Sequence, residues 1–541
     1  MIINPILPGF NPDPSICRVG EDYYIATSTF EWYPGVQIHH SRDLVNWTLI
    51  RRPLERQSQL DMRGNPDSCG IWAPCLSYAD GLFWLVYTDV KRLDGSFKDA
   101  PNYIVTSPSI EGEWSDPVYV NASGFDPSLF HDDDGRKWFV NMQWNHRVEA
   151  FNTIGPHPAF DGILLQEWDS VAKTLTGPVR NIYPGTELGL VEGPHLFKRN
   201  GWYYLTVAEG GTGYDHAVTM ARSRNIEGPY ETHPDRHLIT SKDDSKAELQ
   251  KAGHGQYVET PDGQAYHTHL CGRPLAPYRR CTLGRETSLQ KCVWKDDWLY
   301  LEQGGQVPAV YVKPPLPAER LEKPAITEYR FDPSGLPMDF QWLRTPEPER
   351  IFSLSARPSF LRLYGRQSIG SWFEQALVAR RQQHHSFRAQ TRITFAAQTY
   401  QQAAGLTHYY NRYKFYALTV TWHETLGRAL TILSCPGDYP GGKLVFPIEA
   451  GLALPDGDID LAMEVTDNDL QFLWRPAVAS LDGSEGAWQS VGPILDAGVI
   501  SDEGGRGFDA SFTGAFTGLF AFDLTGQARL ADFSGFLYEA R

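Results

Sequence analysis

Through roughly its first 300 residues the chain repeats one hydrophobic–polar pattern: a short apolar run, a polar turn, and an aromatic-rich run. The first copy reads Asp13-Pro14-Ser15-Ile16, then Gly20-Glu21-Asp22, then Tyr23-Tyr24-Ile25-Ala26. Later copies begin at Ala73, Asp126, Gly193 and His254, and turn at Asp80-Gly81, Asp134-Gly135, Asn200-Gly201 and Asp262-Gly263. Asp-Gly and Asn-Gly supply the positive φ that tight hairpins need, so each copy predicts two paired strands. Several copies continue into a strand ending in serine, a loop, and an aromatic: Ser41 to Trp47, Ser107 to Trp114, and Ser223 to Tyr230. Four strands make one propeller blade. The third copy lacks a clear second half, but five copies predict a five-bladed β-propeller over residues 1–306.

Prolines then cluster at Pro308, Pro314, Pro315, Pro317 and Pro324, which reads as a semi-rigid linker over 307–326. Beyond it the period is two. Phe387, Ala389, Thr391, Ile393 and Phe395 share one strand face, and Tyr416, Leu418, Val420 and Trp422 share another. Residues 327–541 therefore predict a β-sandwich of the jelly-roll, lectin-like kind. No long helical pattern occurs, so the fold class is all-β.

The length of 541 residues fits two or three domains, and 41% hydrophobic with 13% aromatic residues excludes a disordered chain. A net charge of −16 argues against nucleic acid or an anionic membrane as partner and suits a neutral ligand such as a sugar. Residues Met1 to Pro5 carry no signal-peptide pattern, and no apolar run reaches the roughly 18 residues of a spanning helix. The seven cysteines are odd in number and scattered, without a Cys-x-x-Cys pair. That pattern indicates neither a zinc site nor a disulfide framework, and a cytoplasmic location is expected.

Asp13 and Asp126 stand at the same place in copies one and three, each in Asp-Pro-Ser, and Glu192 stands one position earlier in copy four. One Asp-Pro alone is most simply a turn. Two in register with a glutamate in a third copy are better explained by chemistry, because Ala73 and His254 fill the position elsewhere and the blade does not require an acid there. Carboxylates gathered at one channel mouth would raise one another's pKa values, which keeps a general acid protonated near neutral pH.

Longer motifs carry a resemblance. Asn11-Pro12-Asp13-Pro14-Ser15, Thr27 through Trp32, Gly35 through Ser41, Trp72-Ala73-Pro74, Glu192 through Leu196, Gly284-Arg285-Glu286-Thr287, Leu361 through Gly365 and Phe512 through Phe516 are similar to the two-domain β-xylosidases of glycoside hydrolase family 43. The resemblance spans essentially the whole chain. It implies an exo-acting, inverting enzyme that releases D-xylose from β-1,4-xylooligosaccharides, with Asp13 as general base, Glu192 as general acid, and Asp126 tuning the acid. It further implies that Arg285 binds sugar hydroxyls, that Phe30, Trp72 and Thr212 line the pocket, and that Phe512 reaches over from the sandwich to narrow it. The glycines Gly504, Gly505 and Gly507 precede Phe512 and would let its loop extend. Some family 43 enzymes hold a divalent cation near the place of His254 through a histidine and waters, but nothing beside His254 in the sequence supplies a second ligand, so no required metal or other cofactor is expected. Cys75 stands where some relatives have histidine. A homo-oligomer is the tendency of the family. Three competing readings are an α-L-arabinofuranosidase on the same scaffold, a catalytically inactive carbohydrate-binding propeller, and a retaining fructosyl enzyme, which the overall motif set does not favour. A retaining fructosyl enzyme would need a nucleophile about 5–5.5 Å from the acid.

Overall fold

The structure is a computed structural model that describes the 541-residue chain except residues 153–158, 438–442, 450, 478–485 and 506–510. Five antiparallel sheets form the N-terminal part, four of them in simple sequential order. Their innermost strands are Ser15–Val19, Gly70–Ala79, Ser128–His131, Glu192–Arg199 and Gln250–Gly253. Four of these runs coincide with the first halves of the sequence repeat. In the fifth, His254-Gly255-Gln256 breaks the edge: Gln250–Gly253 and Tyr257–Glu259 pair with Ala265–Gly272 one after the other. The third blade has the second half that its sequence did not announce. Phe160–Asp169 and Thr174–Tyr183 complete it, and the outer strand is largely exposed, so no apolar alternation marks it.

The Asp-Pro-Ser motif is a joint between blades. In blade one the Ser15 hydroxyl donates to Gln256 of blade five at 2.7 Å and accepts from the Leu76 N–H of blade two at 2.9 Å. In blade three Ser128 Oγ donates to the Pro194 carbonyl of blade four at 2.6 Å. The ring closes between blades one and five without a shared blade. Asn4 donates to the Leu289 and Ala309 carbonyls and accepts from the Leu289 N–H, all at 2.9 Å. The Pro-rich stretch is not wholly irregular, since Tyr311–Val312 pairs with Ile2–Ile3.

The C-terminal part begins with Ile326–Tyr329, which pairs with the last strand, Leu530–Ala540. Two eight-stranded sheets face each other there. Phe387–Thr394 alternates buried and half-buried residues as its pattern predicts. Lys414–His423 differs: Phe415 and Ala417 are buried as well as Tyr416, Leu418 and Val420, while Trp422 at the strand end is exposed. The reason is that this sheet has two apolar partners. One face packs on the opposite sheet, and the other packs on the propeller through Phe415, Ala417, Phe516 and Phe520.

The propeller also lends this sheet a strand. Trp32–Tyr33, from the Phe30-Glu31-Trp32 motif, pairs with Phe340–Leu343 at its edge, and Trp32 stacks on Phe516 with centroids 3.7 Å apart. Beneath this seam the fully buried Arg344 donates to Asp67 at 2.8 Å and lies beside Glu31, whose burial pushes its carboxyl up to about 7. A buried guanidinium between two buried carboxylates is stable only while all three stay together. The two parts are therefore one packed body.

Candidate active site

At the mouth of the propeller channel a cavity of about 230 Å³ gathers all eight residues singled out by the sequence: Asp13, Phe30, Trp72, Asp126, Glu192, Thr212, Arg285 and Phe512. Asp13 and Asp126 share more than a sequence context. Both sit in left-handed backbone, at φ +56° and +54°, as does His254 at +44°. Non-glycine residues hold this conformation uncommonly, and aspartate and histidine accept it more readily than most. At Asp13 and Asp126 the chain is thereby kinked so that the side chain lines the cavity just before the strand begins at Ser15 or Ser128.

The three carboxyls have different surroundings. Asp13 is buried, which alone would raise its pKa, but Arg285, His254 and the Ser28 hydroxyl outweigh that, and the net shift is downward. Arg285 Nη1 lies 3.0 Å from Asp13 Oδ1, and Ser28 Oγ donates to Oδ2 at 2.5 Å. Glu192 is pushed up to about 8, first by burial and then by the charge of Asp13, with Arg285 and Lys98 opposing. Asp126 is raised well above its ordinary value by burial, Glu192 and Asp13, although the Gly193 N–H donates to its Oδ2 at 3.1 Å. At neutral pH Asp13 is ionised, while the Asp126–Glu192 pair retains a proton.

Arg285 is not a surface residue paired with Glu286. Glu286 is fully buried and takes both Nε and Nη2 of Arg273, at 2.7 and 2.8 Å. This leaves Arg285 free to join three parts of the site: Nη1 meets Asp13, Nη2 donates to the Phe512 carbonyl at 2.8 Å, and the guanidinium lies 5.4 Å from the Phe30 ring centroid. Gly284 makes this possible. At φ +68° it lies so close to the sandwich that a Cβ would stand 2.2 Å from the Thr513 carbonyl oxygen.

Phe512 is held, not loose. Its N–H donates to Ser68 Oγ at 3.0 Å, and its ring lies edge-on to Trp72 at 6.2 Å. The next N–H, of Thr513, donates to the Tyr410 hydroxyl at 3.0 Å, which itself donates to Asp502 at 2.6 Å. Lys251, fully buried, pairs with Asp502 and Glu503. Of the glycines expected to extend this loop, Gly507 lies outside the described residues.

Sequence reasoning missed Leu93, Lys98, Phe125, Trp144, Phe160 and His216, which also line the cavity. Lys98 is the most consequential. Its ammonium lies over Trp144, Phe125 and Trp72, at 4.3, 4.9 and 5.0 Å from the ring centroids, and burial pushes it down to about 8. It sits in a polar loop outside the repeat, where no periodicity could flag it. Phe125, immediately before Asp126, was findable from the motif. His216 is buried and pushed down to about 3 by desolvation, so it is a neutral wall residue.

His254 Nδ1 lies 3.7 Å from Asp13 Oδ1, and a Cβ on Gly193, at φ +57°, would meet its ring at 2.9 Å. Among the described residues no group of three or more His, Cys, Asp or Glu is placed to hold a metal ion. Cys75 is buried on the inner strand of blade two, and desolvation raises its thiol to about 11, which keeps it protonated and unreactive.

The sequence matches the family model Glycosyl hydrolases family 43 over residues 2–299 and the model Beta xylosidase C-terminal Concanavalin A-like domain over residues 328–539. It is 59% identical to a xylosidase/arabinosidase 43B of Humicola insolens, over 99% of this chain and 97% of that protein. A beta-xylosidase of Bacillus subtilis is 45% identical over all of both chains. The crystal structure of a xylan beta-1,4-xylosidase from Bacillus halodurans superposes with a TM-score of 0.93 at 49% identity, again over all of both chains. Fold, paired family models and full-length relatives agree: the chain is a glycoside hydrolase and belongs to glycosyl hydrolase family 43.

Proposed function

We propose that the protein is an inverting exo-β-xylosidase that removes single xylose units from the nonreducing ends of β-1,4-xylooligosaccharides. The observation that carries this reading is the gathering of Asp13, Asp126 and Glu192 around one small pocket in unlike surroundings: Arg285 and Ser28 bond to Asp13 and favour its ionised form, while burial and the charge of Asp13 favour the protonated form of Glu192. Asp13 takes a proton from water as the water oxygen attacks the anomeric carbon. Glu192 gives its proton to the glycosidic oxygen as that bond breaks, and α-xylose leaves. Inversion needs the base and acid about 6.5–9.5 Å apart so that water fits between them. Asp13 and Glu192 come from blades one and four and make no hydrogen bond to each other, which is compatible with that role. Asp126 holds the acid's environment in place through the Gly193 N–H.

The cavity of about 230 Å³ is smaller than the 300–1,000 Å³ usual for ligand pockets and is walled by Phe30, Trp72 and Phe512. A pocket of this size, walled by these three rings, suits one terminal pentose, hence exo-action. The Humicola relative is called a xylosidase/arabinosidase, and α-L-arabinofuranoside cleavage is proposed as a second activity of the same pocket.

Proton NMR of the hydrolysis of methyl β-xylobioside, whose blocked end has no free anomeric centre, tests substrate and mechanism together. α-Xylose is expected as the first-formed anomer. β-Xylose first would refute inversion, and xylobiose as the main early product from xylotetraose would refute the closed pocket.

A further inference from the structure

Away from the catalytic pocket, a second cavity of about 390 Å³ lies at the seam of propeller and sandwich, also bordered by the stretch that joins them. Arg52 enters it from the propeller, Arg380 and Arg381 from the sandwich, and the exposed Lys323 from the joining stretch. One carboxylate, Asp339, faces these four cations, leaving a local charge of +3 in a protein whose net charge is −16. Asp339 is itself taken up, since the Tyr329 hydroxyl donates to it at 2.5 Å.

The three arginines are 4–6% exposed, so their charges are effectively inside the protein. Among the described residues none of them is in salt-bridge contact with a carboxylate. Their partners are neutral oxygens. Arg52 donates to Gln37 and to the Met338 carbonyl at 2.6 and 2.7 Å. Arg381 donates to the Phe10 carbonyl and to Gln341 at 2.6 and 2.5 Å, and Arg380 donates to the Tyr329 hydroxyl at 2.8 Å. Two donor atoms of residues that line the cavity, Arg380 Nε and Arg381 Nη2, are buried and have no hydrogen-bond partner among the described residues, and the same holds for Nδ1 of the neutral His39 ring. Burial pushes Arg52 down to about 9 and Arg381 well below the guanidinium range, with Asp339 opposing in both cases. A guanidinium does not surrender its proton in a folded protein, so the burden falls on the fold as uncompensated positive charge.

Buried like charges with spare donors call for an anion, and forked guanidiniums match oxyanions in shape. We propose that this cleft is a binding site for one small oxyanion, which ties the propeller to the sandwich. The chemistry is that of a compact anion with several acceptor oxygens, either inorganic or the carboxylate of an organic acid. The site bears on the N-terminal segment of the catalytic pocket: Arg381 holds the Phe10 carbonyl, Phe10 lies 5.7 Å from Phe30, and Gln37 donates to Asn11 at 2.8 Å, two residues before Asp13. Occupancy is therefore expected to stabilise the whole chain.

The test uses the full-length protein with xylose saturating the catalytic pocket, so that Arg285 is not the site read. Inorganic phosphate, D-glucuronate and chloride are titrated separately at matched ionic strength, by calorimetry and thermal unfolding. The expected result is one saturable equivalent of phosphate or of glucuronate, with Tm raised by on the order of 2 °C beyond chloride. Phosphate alone identifies an inorganic ion, and glucuronate alone an organic acid. Lys323→Met, at the exposed rim, should fold and weaken binding by roughly threefold, the scale of one partly screened charge. Selenate soaked into crystals should give its anomalous peak between Arg52 and Arg381. No saturable binding beyond the chloride control, or a selenate peak found only elsewhere, overturns the proposal.

Discussion

Arg285 Nη2 donates to the carbonyl oxygen of Phe512 at 2.8 Å, so a propeller residue that also holds Asp13 is itself held by the sandwich. The sandwich thus forms part of the pocket wall and does more than support it. Phe512→Ala keeps the backbone carbonyl and removes only the ring that meets Trp72. The expected loss is about 1–3 kcal/mol of transition-state binding, or roughly 5- to 150-fold in kcat/KM, by the scale of a buried aromatic side chain. The propeller alone, ending near Pro317, should be insoluble or nearly inactive, because Trp32, Phe10 and Glu31 would lose their partners. Full kcat/KM from that fragment would refute the dependence.

Asp13→Asn preserves shape but removes the negative charge that Arg285 and Ser28 hold. Turnover of xylobiose should fall by more than a thousandfold, at the scale of a lost general base, while thermal unfolding remains cooperative. Activity within roughly tenfold of the parent would remove Asp13 from the role of base.

The carboxylates were legible because the propeller repeats itself. A residue type that recurs in register, Asp-Pro-Ser at 13 and 126, stands out against copies that carry Ala73 or His254. The outer strands of blade three were not legible, because solvent covers Thr174–Tyr183 and removes the alternation that would mark it. Lys98 was not legible either. Its role comes from aromatics on blades two and three that meet only after folding. The strand exchange by Trp32–Tyr33 was hidden inside a motif whose likeness to relatives pointed to the pocket and said nothing of the neighbouring sheet.

The pH profile of kcat/KM should be asymmetric. Asp13, with its pKa lowered, stays ionised into the acid range, so the acid limb lies below the ordinary aspartate range. Glu192 must be protonated, and its carboxyl titrates at about 8, so activity should fall as pH rises through that value. Lys98 is also pushed to about 8 and could shape the same limb. Lys98→Met separates them: an alkaline limb that persists in this variant belongs to the carboxyl pair, and one that vanishes belongs to Lys98.

The same shift carries a stability cost with a defined sign. The folded carboxyl of Glu192 titrates at about 8 against an ordinary value of 4.5, so the folded state binds the proton more tightly than the unfolded chain. Below pH 4.5 both states are protonated and no penalty exists; it grows as pH rises and is complete above 8. Glu192→Gln cannot ionise. Its Tm should match the parent near pH 4.5 and exceed it at pH 9, and equal values at pH 9 would contradict the raised pKa.

Substrates with different leaving groups test the acid directly. A xylose leaving group departs as a poor alkoxide unless Glu192 protonates the glycosidic oxygen. A nitrophenol departs as a stabilised phenolate and needs little help. Glu192→Ala should therefore slow xylobiose hydrolysis by a factor on the order of 10³ or more, and 4-nitrophenyl β-D-xylopyranoside by on the order of 10–100. If Glu192 sets the alkaline limb, that limb should disappear on the aryl substrate in this variant. Equal losses on both substrates would mean that the alanine disturbs the pocket generally. Asp126, raised by burial and by its two carboxyl neighbours, would then be the group to examine as proton donor.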